Sequence, residues 1–397
     1  MKRFIVFIAL FVCGIAVESA AQDPAFIPGR SYFGRNDYIE YIAGNTPYIL
    51  SAPHGGSLTP SEIPDRTSGE TVTDSNTDSL ARTISKAVLA REGKYPHIII
   101  CRLRRTKLDA NRDLNEASEP NLYATQAWKE FQSFIDTAKQ AIIREFGKGF
   151  YIDLHGHGHE IQRLELGYLL SSTALALSDN TLDNAVYGNS SSIRTMIPLS
   201  RLSFSKLLRG PQSLGSMFEN RGFPAVPSEM QPNPGSALYF SGGYNTQRHG
   251  SAGGGPISGV QIECNMKGVR DTDDTRRKFA EAVAETFYYY TAMHLFQKPV
   301  VLVERQTGLP SRHSLSQNYP NPFNPATAIS YQLIANSFVT LKVFDLLGRE
   351  ISTLVNQEME AGKHLVNWNA SNVAAGVYLY QLRVSGSVET RKAVVLK

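Results

Sequence analysis

The feature that most limits the fold is an alternation of short apolar runs with longer amphipathic stretches. It extends over residues 31–298. Residues 48–51, 97–103 and 150–154 are strand-like, whereas residues 122–146 place apolar side chains at helical spacing. Strands that alternate with helices typically build a parallel sheet with helices on its faces. We therefore predict an α/β fold with a mixed, largely parallel sheet and helices on both faces.

The pattern changes after about residue 303, where a polar stretch contains Pro310. Beyond it, short β-rich runs are separated by turn residues: 328–333, 339–345, 364–369, 376–384 and 391–396. Strands at this spacing predict a small, all-β immunoglobulin-like sandwich. A chain of 397 residues also exceeds the usual size of one core, so we expect more than one domain.

The first residues have the composition of a secretory signal peptide. Met1-Lys2-Arg3 is basic, residues 4–17 are apolar, and small residues lead to a cleavage position near Ala21. The apolar run is too short to span a membrane comfortably, and we expect no transmembrane segment in the mature chain. The predicted divisions are a signal peptide (1–21), a catalytic domain (22–300), a linker (301–314) and a C-terminal domain (315–397).

Charge and cysteine content narrow the class of protein. The formal net charge is only +4, and the one dense basic run, residues 102–107, lacks interleaved aromatic residues. A nucleic-acid partner is therefore not expected, and the run is interpreted as a solvated face, an anion pocket or part of both. With Cys13 in the leader, Cys101 and Cys264 remain. Buried free thiols are favoured over a single disulfide bridge.

Two histidines carry most of the chemical information. His54 and His155 each lie at the end of a strand-like run and immediately precede a glycine. Ligands of open α/β sheets bind beyond the carboxyl ends of the strands, where both imidazoles are expected. Because neutral imidazole is a common metal ligand, the two residues predict part of a zinc site with one ion per chain.

The third zinc ligand is predicted to be a carboxylate from another loop. Asp74 begins the first predicted helix, residues 73–91, and could reach back to the metal. A helix cap formed by Thr73 or Asp74 is the structural alternative. Glu62 is the rival ligand. His157 and His159 are within reach of the same site, either beside the ligands or facing solvent.

Glu263 is the candidate general acid and base. It ends the apolar strand that begins at residue 259, so it should face the same sheet edge as the two histidines. A water that attacks a carbonyl needs a base, and the leaving group needs an acid. The structural alternative is an ion-paired glutamate.

Asn111 and Arg112 are predicted to bind a substrate carboxylate, because the guanidinium fork of arginine matches a carboxylate. Pairing of Arg112 with Asp109 or Asp113 is the alternative. Residues 242–250 have glycines on both sides and are predicted to form a mobile lid. In it, Tyr244 is a substrate-contact candidate, and plain loop structure is the alternative.

The motifs together resemble the N-formylglutamate amidohydrolase-like family across about residues 49–270. The residues that carry the resemblance are Pro53-His54-Gly55-Gly56, Ile63-Pro64-Asp65-Arg66, Asp74 with Thr77 and Leu80-Ala81, Asp109-Ala110-Asn111-Arg112, Asp153-Leu154-His155-Gly156-His157 and Gln261-Ile262-Glu263. The resemblance implies a phosphorylase/hydrolase-like fold related to zinc carboxypeptidases. It also implies metal ligation by His54, Asp74 and His155, carboxylate binding by Asn111 and Arg112, and acid/base catalysis by Glu263.

The C-terminal region resembles the sorting domain of the type IX secretion system over its whole length. The carrying residues are Asn318-Tyr319-Pro320-Asn321-Pro322-Phe323-Asn324-Pro325, Val343-Phe344-Asp345-Leu346-Leu347-Gly348-Arg349 and Gly376-Val377-Tyr378-Leu379-Tyr380. This implies that the type IX machinery is a partner and that the protein is secreted or held at the outer cell surface. A carbohydrate-binding module is the alternative.

The sequence thus predicts a secreted zinc amidohydrolase. Its expected substrate is an N-acyl amino acid, or a short peptide-like amide, with a free carboxylate. A carboxypeptidase or γ-glutamyl hydrolase on the same scaffold is the second possibility, and a surface binding protein with a structural metal is the third. A serine hydrolase is not expected because the chain contains no Gly-x-Ser-x-Gly motif.

Overall fold

The computed structural model describes residues 26–298, 313–318, 321–333, 335–360 and 362–396. The predicted signal peptide and residues 301–312 of the predicted linker lie outside the described residues. The chain divides into two units, Met1–Val300 and Val301–Lys397, and each is considered by itself.

The strands of the first unit form one eight-stranded sheet in the order β1-β2-β4-β3-β5-β8-β6-β7. Their bounds are β1 (Ser31–Phe33), β2 (Ile39–Ile42), β3 (Tyr48–Ala52), β4 (His97–Cys101), β5 (Gly149–His157), β6 (Leu164–Gly167), β7 (Ala225–Val226) and β8 (Ile257–Asn265). The central strands β4, β3, β5 and β8 run parallel, whereas β6 pairs antiparallel with β8. The predicted mixed, largely parallel sheet is confirmed.

The helices of the first unit vary widely in length. Their bounds are α1 (Thr77–Glu92), α2 (Leu114–Ser118), α3 (Leu122–Phe146), α4 (Ser172–Leu175), α5 (Asp179–Leu182), α6 (Ala185–Ser190), α7 (Phe204–Arg209), α8 (Leu214–Glu219), α9 (Tyr244–His249) and α10 (Asp273–His294). Short 3-10 turns occur at Arg35–Asp37 and Arg194–Leu199, and a π-type turn occurs at Met266–Arg270. None of the described helices has the length and apolar character needed to cross a membrane.

Two apolar cores lie on opposite faces of this sheet, as alternating side chains of its strands require. On β5, Ile152 and Leu154 belong to the core that contains Leu80 of α1 and Phe287 of α10. The other core contains Phe131 of α3. Helices therefore cover both faces, which confirms the predicted layering.

The start of α1 differs from the sequence prediction. The helix begins at Thr77 with Asn76 at its N-cap, so neither Thr73 nor Asp74 caps it. The backbone N–H of Asp74 donates to the carbonyl of His54 at 3.1 Å, and that of Thr77 donates to the carbonyl of Asp74 at 3.2 Å. Asp74 is thus held in a turn before the helix, and its carboxylate is free for another task.

The second unit is an antiparallel all-β structure of two sheets, β13-β10-β9 and β12-β11-β14-β15. The strands are β9 (Ser314–Leu315), β10 (Ala326–Leu333), β11 (Ser337–Phe344), β12 (Glu350–Met359), β13 (Gly362–Asn369), β14 (Gly376–Val384) and β15 (Ser387–Val395). Ile329, Val343, Trp368 and Tyr380 are buried in its core. The predicted small immunoglobulin-like sandwich is confirmed.

Candidate metal centre and active site

His54, Asp74 and His155 come together at the carboxyl end of the parallel strands. Oδ2 of Asp74 lies 3.3 Å from Nδ1 of His54 and 3.2 Å from Nδ1 of His155. All three side chains are buried, and their candidate ligand atoms lie within 4.8 Å of one another. Three residues that are far apart in sequence therefore converge with the donor atoms that a divalent transition metal prefers.

Backbone contacts fix the two loops that carry this cluster. The N–H of Gly156 donates to Oδ2 of Asp74 at 3.1 Å, which ties the carboxylate to β5. A Cβ atom at Gly55 would lie 2.5 Å from the backbone nitrogen of Asp78. The His54 loop reaches this close to α1 only because residue 55 is glycine.

Each imidazole is also bonded to a buried carboxylate through its other nitrogen. Nε2 of His54 lies 2.6 Å from Oδ1 of Asp109, and Nε2 of His155 lies 2.9 Å from Oδ2 of Asp153. Histidines that bind metals usually donate their distant N–H to such an acceptor, which sets the tautomer and the ring orientation. Both Nδ1 atoms are thereby directed at Asp74.

A basic residue and a backbone amide hold Asp109 in place. Arg105 donates from Nε to Oδ2 of Asp109 at 3.1 Å, and the N–H of Asn111 donates to Oδ1 at 3.0 Å. Burial would raise the pKa of the Asp109 carboxyl, but His54 and Arg105 hold it well below its usual range. Arg105 belongs to the dense basic run noted in the sequence, so part of that run lies inside the site.

Hydroxyl groups hold Asp153. Oγ of Ser51 donates to its Oδ1 at 2.6 Å, and the Tyr151 hydroxyl lies 3.2 Å from the same oxygen. Burial disfavours the charged form of His155, yet the carboxylates of Asp153 and Asp74 outweigh it and raise the pKa of His155 well above its usual value. The negative charge around the two rings thus strongly favours a nearby cation.

The donor set fits zinc. When a neutral histidine donates its one ring proton from Nε2, its Nδ1 carries a lone pair. With both rings in this neutral form, which metal binding requires, two Nδ1 lone pairs and one carboxylate oxygen face one another. Two nitrogens and one oxygen in a buried cluster form a common three-ligand zinc set, which would leave a fourth position for water or substrate.

Glu263 lies beside this cluster. It is the register partner of His155 in the neighbouring parallel strand, and it is 5% exposed. Burial raises the pKa of its carboxyl to about 7, with His155 acting in the opposite direction. Nε2 of Gln261 donates to Oε1 of Glu263 at 2.9 Å. A glutamate that can both release and take up a proton near neutral pH therefore borders the candidate ligands.

Arg270 joins the segments that carry the site. It is 2% exposed and donates to three backbone carbonyls: those of Cys264 from Nε at 3.0 Å, Ser75 from Nη1 at 2.5 Å and His157 from Nη2 at 3.1 Å. These residues follow Glu263, Asp74 and His155 closely in sequence. A Cβ atom at Gly156 would overlap the guanidinium, so a side chain at this position would displace Arg270.

Asn111 and Arg112 occupy different environments. Asn111 is 4% exposed, and its Oδ1 accepts from the N–H of Asn245 at 2.8 Å. Its Nδ2 lies 3.3 Å from Nε2 of His155, which places the amide at the cluster. The side chain of Arg112 is 34% exposed and pairs with Glu116 at 2.9 Å, not with Asp109 or Asp113.

The predicted lid is largely helical. Residues 244–249 form α9, which corrects the expectation of a loop. Tyr244 begins this helix, with its ring centroid 6.2 Å from that of Trp128. His249 is buried and bonds to Gln132 at 2.6 Å, and Arg248 lies over the Trp128 ring. Gly243, the residue before the helix, approaches Asn111 so closely that a Cβ would lie 2.5 Å from Nδ2.

His157 and His159 belong to a second group with Glu165. Nε2 of His157 bonds to the carbonyl of Arg163 at 2.8 Å, and its Nδ1 accepts from the N–H of His159 at 3.1 Å. Both ring nitrogens of His157 are thus used by the backbone. Nδ1 of His159 lies 2.9 Å from Oε1 of Glu165, so this group is already satisfied by hydrogen bonds.

Glu62, the rival third ligand, lies outside the cluster. It is exposed, and its carboxylate accepts a hydrogen bond from the Tyr38 hydroxyl. Cys101 and Cys264 are free and buried, as the sequence predicted.

Several buried polar residues without a predicted site role surround the cluster: Arg105, Asp109, Asp153, Gln261 and Arg270. The sequence contained a signal that could have placed two of them at the site. Asp153 and Gln261 lie two residues before His155 and Glu263, and alternation along a strand directs such pairs to the same face.

Among solved structures, the chain is similar to N-formylglutamate amidohydrolase from Ralstonia eutropha JMP134, with 11% sequence identity and a TM-score of 0.38. That similarity covers 62% of this chain and 93% of that chain. A second similarity is to PorZ, a surface component of the type-IX secretion system of Porphyromonas gingivalis. It has 21% identity and a TM-score of 0.17, and it covers 21% of this chain and 12% of that chain. At these values the similarities assign no activity. No curated protein matches the sequence.

Residues 317–396 match the family model of the secretion system C-terminal sorting domain. This range contains β10–β15 of the second unit, as the resemblance in sequence implied. The C-terminal unit is therefore a sorting domain, and it directs the protein through type IX secretion to the cell surface or the extracellular space.

Proposed function

We propose that the first unit is a zinc-dependent amidohydrolase. Its substrate would be an N-acyl amino acid resembling N-formylglutamate, or a similar amide with a free carboxylate. The observation that carries this proposal is the placement of Glu263 beside the ligand cluster, in register with His155 and without being one of the ligands. A purely structural metal site has no need of an adjacent, buried, titratable carboxylate.

His54, Asp74 and His155 would hold the zinc ion. When bound, zinc supplies Lewis-acid activation of the amide carbonyl and of water. Glu263 accepts a proton from the attacking water and later donates one to the nitrogen of the leaving group, so the products are a carboxylate and an amine. Its pKa of about 7 suits both halves of this exchange.

Substrate orientation is assigned to Asn111, Arg112 and Tyr244. The Asn111 amide lies next to His155, so a ligand bound there is within reach of the metal. Arg112 adjoins it in sequence and keeps about a third of its side chain open, which suits recognition of a carboxylate at the mouth of the site. Tyr244 would complete this wall from the first turn of α9.

The proposal is tested by assaying the zinc-loaded mature protein on N-formyl-L-glutamate, other N-acyl amino acids, peptides with a free C-terminal carboxylate and γ-glutamyl peptides. Glu263→Gln should lower kcat by about two to four orders of magnitude while zinc remains bound. Glu160→Gln, at an exposed glutamate after His159, is the matched control and should retain activity.

The substrate that is cleaved separates the enzyme hypotheses. Preference for N-acyl amino acids supports the amidohydrolase, whereas release of C-terminal residues or γ-linked glutamate supports a peptidase on the same scaffold. A wild-type rate in Glu263→Gln would reject the catalytic role. Stoichiometric zinc without hydrolysis of any of these substrates would instead indicate a binding protein.

A further inference from the structure

Gln261 lies on the same face of β8 as Glu263, two residues earlier in the strand. The residue is 3% exposed. Nε2 donates to Oε1 of Glu263 at 2.9 Å, so the amide group is oriented by the candidate catalytic carboxylate itself. The carbonyl oxygen, Oε1, must then point away from that carboxylate.

That oxygen has no hydrogen-bond partner in the part of the chain that the structure describes. A buried amide oxygen without a hydrogen-bond donor destabilises the fold, so such atoms are rare unless a bound ligand supplies the donor. The oxygen lies next to Gly243, where a Cβ atom would be 3.0 Å from it and 2.5 Å from Nδ2 of Asn111. The unpaired acceptor therefore lies among residues of the active site.

We propose that Oε1 of Gln261 accepts a hydrogen bond from the N–H of the amide that is cleaved. This inference rests on the proposed amidohydrolase function and identifies a residue that selects amides over esters. Nε2 of Gln261 donates to the carboxylate of Glu263, so only the amide group of Gln261 separates that carboxylate from Oε1 of Gln261, the second acceptor. A single substrate nitrogen can therefore donate to Gln261 while it receives a proton from Glu263.

The contact gains strength as the reaction proceeds. The leaving nitrogen becomes an amine and acquires an additional N–H, so an acceptor next to it favours the later stages over the ground state. An ester with the same acyl and acid groups has oxygen at this position and no hydrogen to donate. With an ester bound, Oε1 of Gln261 stays buried and unpaired.

The test compares two substrates that differ only at this atom: N-formyl-L-glutamate and the formate ester of 2-hydroxyglutarate, with spontaneous hydrolysis subtracted. If the enzyme prefers another acyl group, the matched ester of that substrate is made by the same replacement of N–H with O. Gln261→Met keeps the length of the side chain and removes both polar groups. It should lower the ratio of amide to ester kcat/KM about tenfold or more relative to wild type.

Gln261→Met also removes the N–H that donates to Glu263. That loss affects hydrolysis of both substrates alike, so it cancels in the ratio of amide to ester kcat/KM. Gln261→Glu keeps an acceptor oxygen and should preserve the amide preference even if both rates fall. Gln126→Met is the matched control, since Nε2 of Gln126 also donates to a glutamate, Glu130, at 2.9 Å. It lies on α3 and should change neither rate.

The outcomes separate the two hypotheses. Amide hydrolysis that depends on Glu263, with an unchanged amide-to-ester ratio in Gln261→Met, overturns the role of Gln261 alone. Failure of the wild-type protein to hydrolyse any N-acyl amino acid overturns the proposed function, and this inference with it. Should Gln261→Met fail to fold, loss of the amide preference in Gln261→Glu would contradict the proposal.

Discussion

Nε2 of His54 lies 2.6 Å from Oδ1 of Asp109, although 55 residues separate the two in sequence. The same relationship joins His155 to Asp153 across 2.9 Å. Both candidate zinc ligands are therefore oriented from behind by a buried carboxylate, and Asp74 lies between their forward-facing nitrogens. Substitutions can therefore separate the effect of the ligands from that of the carboxylates that orient them.

The ligand assignment predicts about one zinc ion per chain. His54→Ala or His155→Ala should abolish zinc retention after dialysis, because loss of one of three ligands leaves an incomplete coordination shell. Elemental analysis of the purified protein measures the stoichiometry. His159→Ala is the control, since His159 belongs to the separate group with Glu165 and should keep the metal. Full zinc content in either alanine variant at position 54 or 155 would contradict the assignment.

The carboxylates behind the imidazoles should tune affinity without being ligands. Asp109→Asn or Asp153→Asn removes the charge that orients the ring, so zinc affinity should fall about 10- to 100-fold. Competition with a chelator of known affinity measures this change. Asp113→Asn is the matched control because Asp113 caps α2, and asparagine caps helices equally well. Equal affinity in the wild-type and Asp109→Asn proteins would show that the pair has no influence on the metal.

Glu92, at the end of α1, predicts a pH-dependent stability. Burial raises the pKa of its carboxyl to about 7, and the Tyr48 hydroxyl only partly offsets this. A carboxyl with a raised pKa in the folded state binds more protons there than in the unfolded chain, where its pKa is about 4.5. The folded protein should therefore lose stability as the pH rises from about 4.5 through 7.

Glu92→Gln removes this charge. We expect the variant to be more stable than wild type by up to about 3 kcal/mol at pH 8 and to lose that advantage at pH 4.5. Thermal unfolding at several pH values measures the difference. Glu145→Gln, an exposed change near the end of α3, should show no such pH-dependent gain. An advantage for Glu92→Gln that is the same at both pH values would argue against a raised pKa.

The division of the chain near residue 300 predicts that targeting and chemistry separate. A protein ending after residue 300 should bind zinc and retain its activity, because all candidate site residues lie before that point. A version lacking residues 317–396 should fail to reach the cell surface when it is expressed in a host with type IX secretion. Surface labelling and assays of the culture fluid distinguish the two effects. Loss of zinc binding in the shortened, folded protein would show that the sorting domain supports the site.

The sequence predicted those parts of the site that follow from local periodicity. His54, His155 and Glu263 each end or lie near the end of an apolar run, so the carboxyl edge of a parallel sheet collects them. The contact between His54 and Asp109 was not predictable in this way. It depends on the path of the segment after β4, where Leu58 and Leu103 form an isolated bridge.

Two features of the first unit also escaped prediction because tertiary context determines them. The segment 242–250 has glycines typical of a flexible loop, yet Asn245, Thr246 and His249 are buried and α9 is packed against β8 and β5. Strand β6, Leu164–Gly167, runs antiparallel to β8, which the alternation of strands and helices did not predict. Pairing direction depends on the route of the connecting chain, which local periodicity does not encode.

The contacts of Arg270 have a consequence for the apoprotein. Its guanidinium binds the carbonyls of Ser75, His157 and Cys264, so protein hydrogen bonds alone hold the three segments near their final positions. Metal capture then costs little ordering entropy, unlike that of small zinc domains that fold only around their ion. Removal of zinc with a chelator should leave a folded apoprotein, and this apoprotein should rebind zinc as soon as the two are mixed. An exported chain with these contacts would be able to bind a metal ion after it has folded.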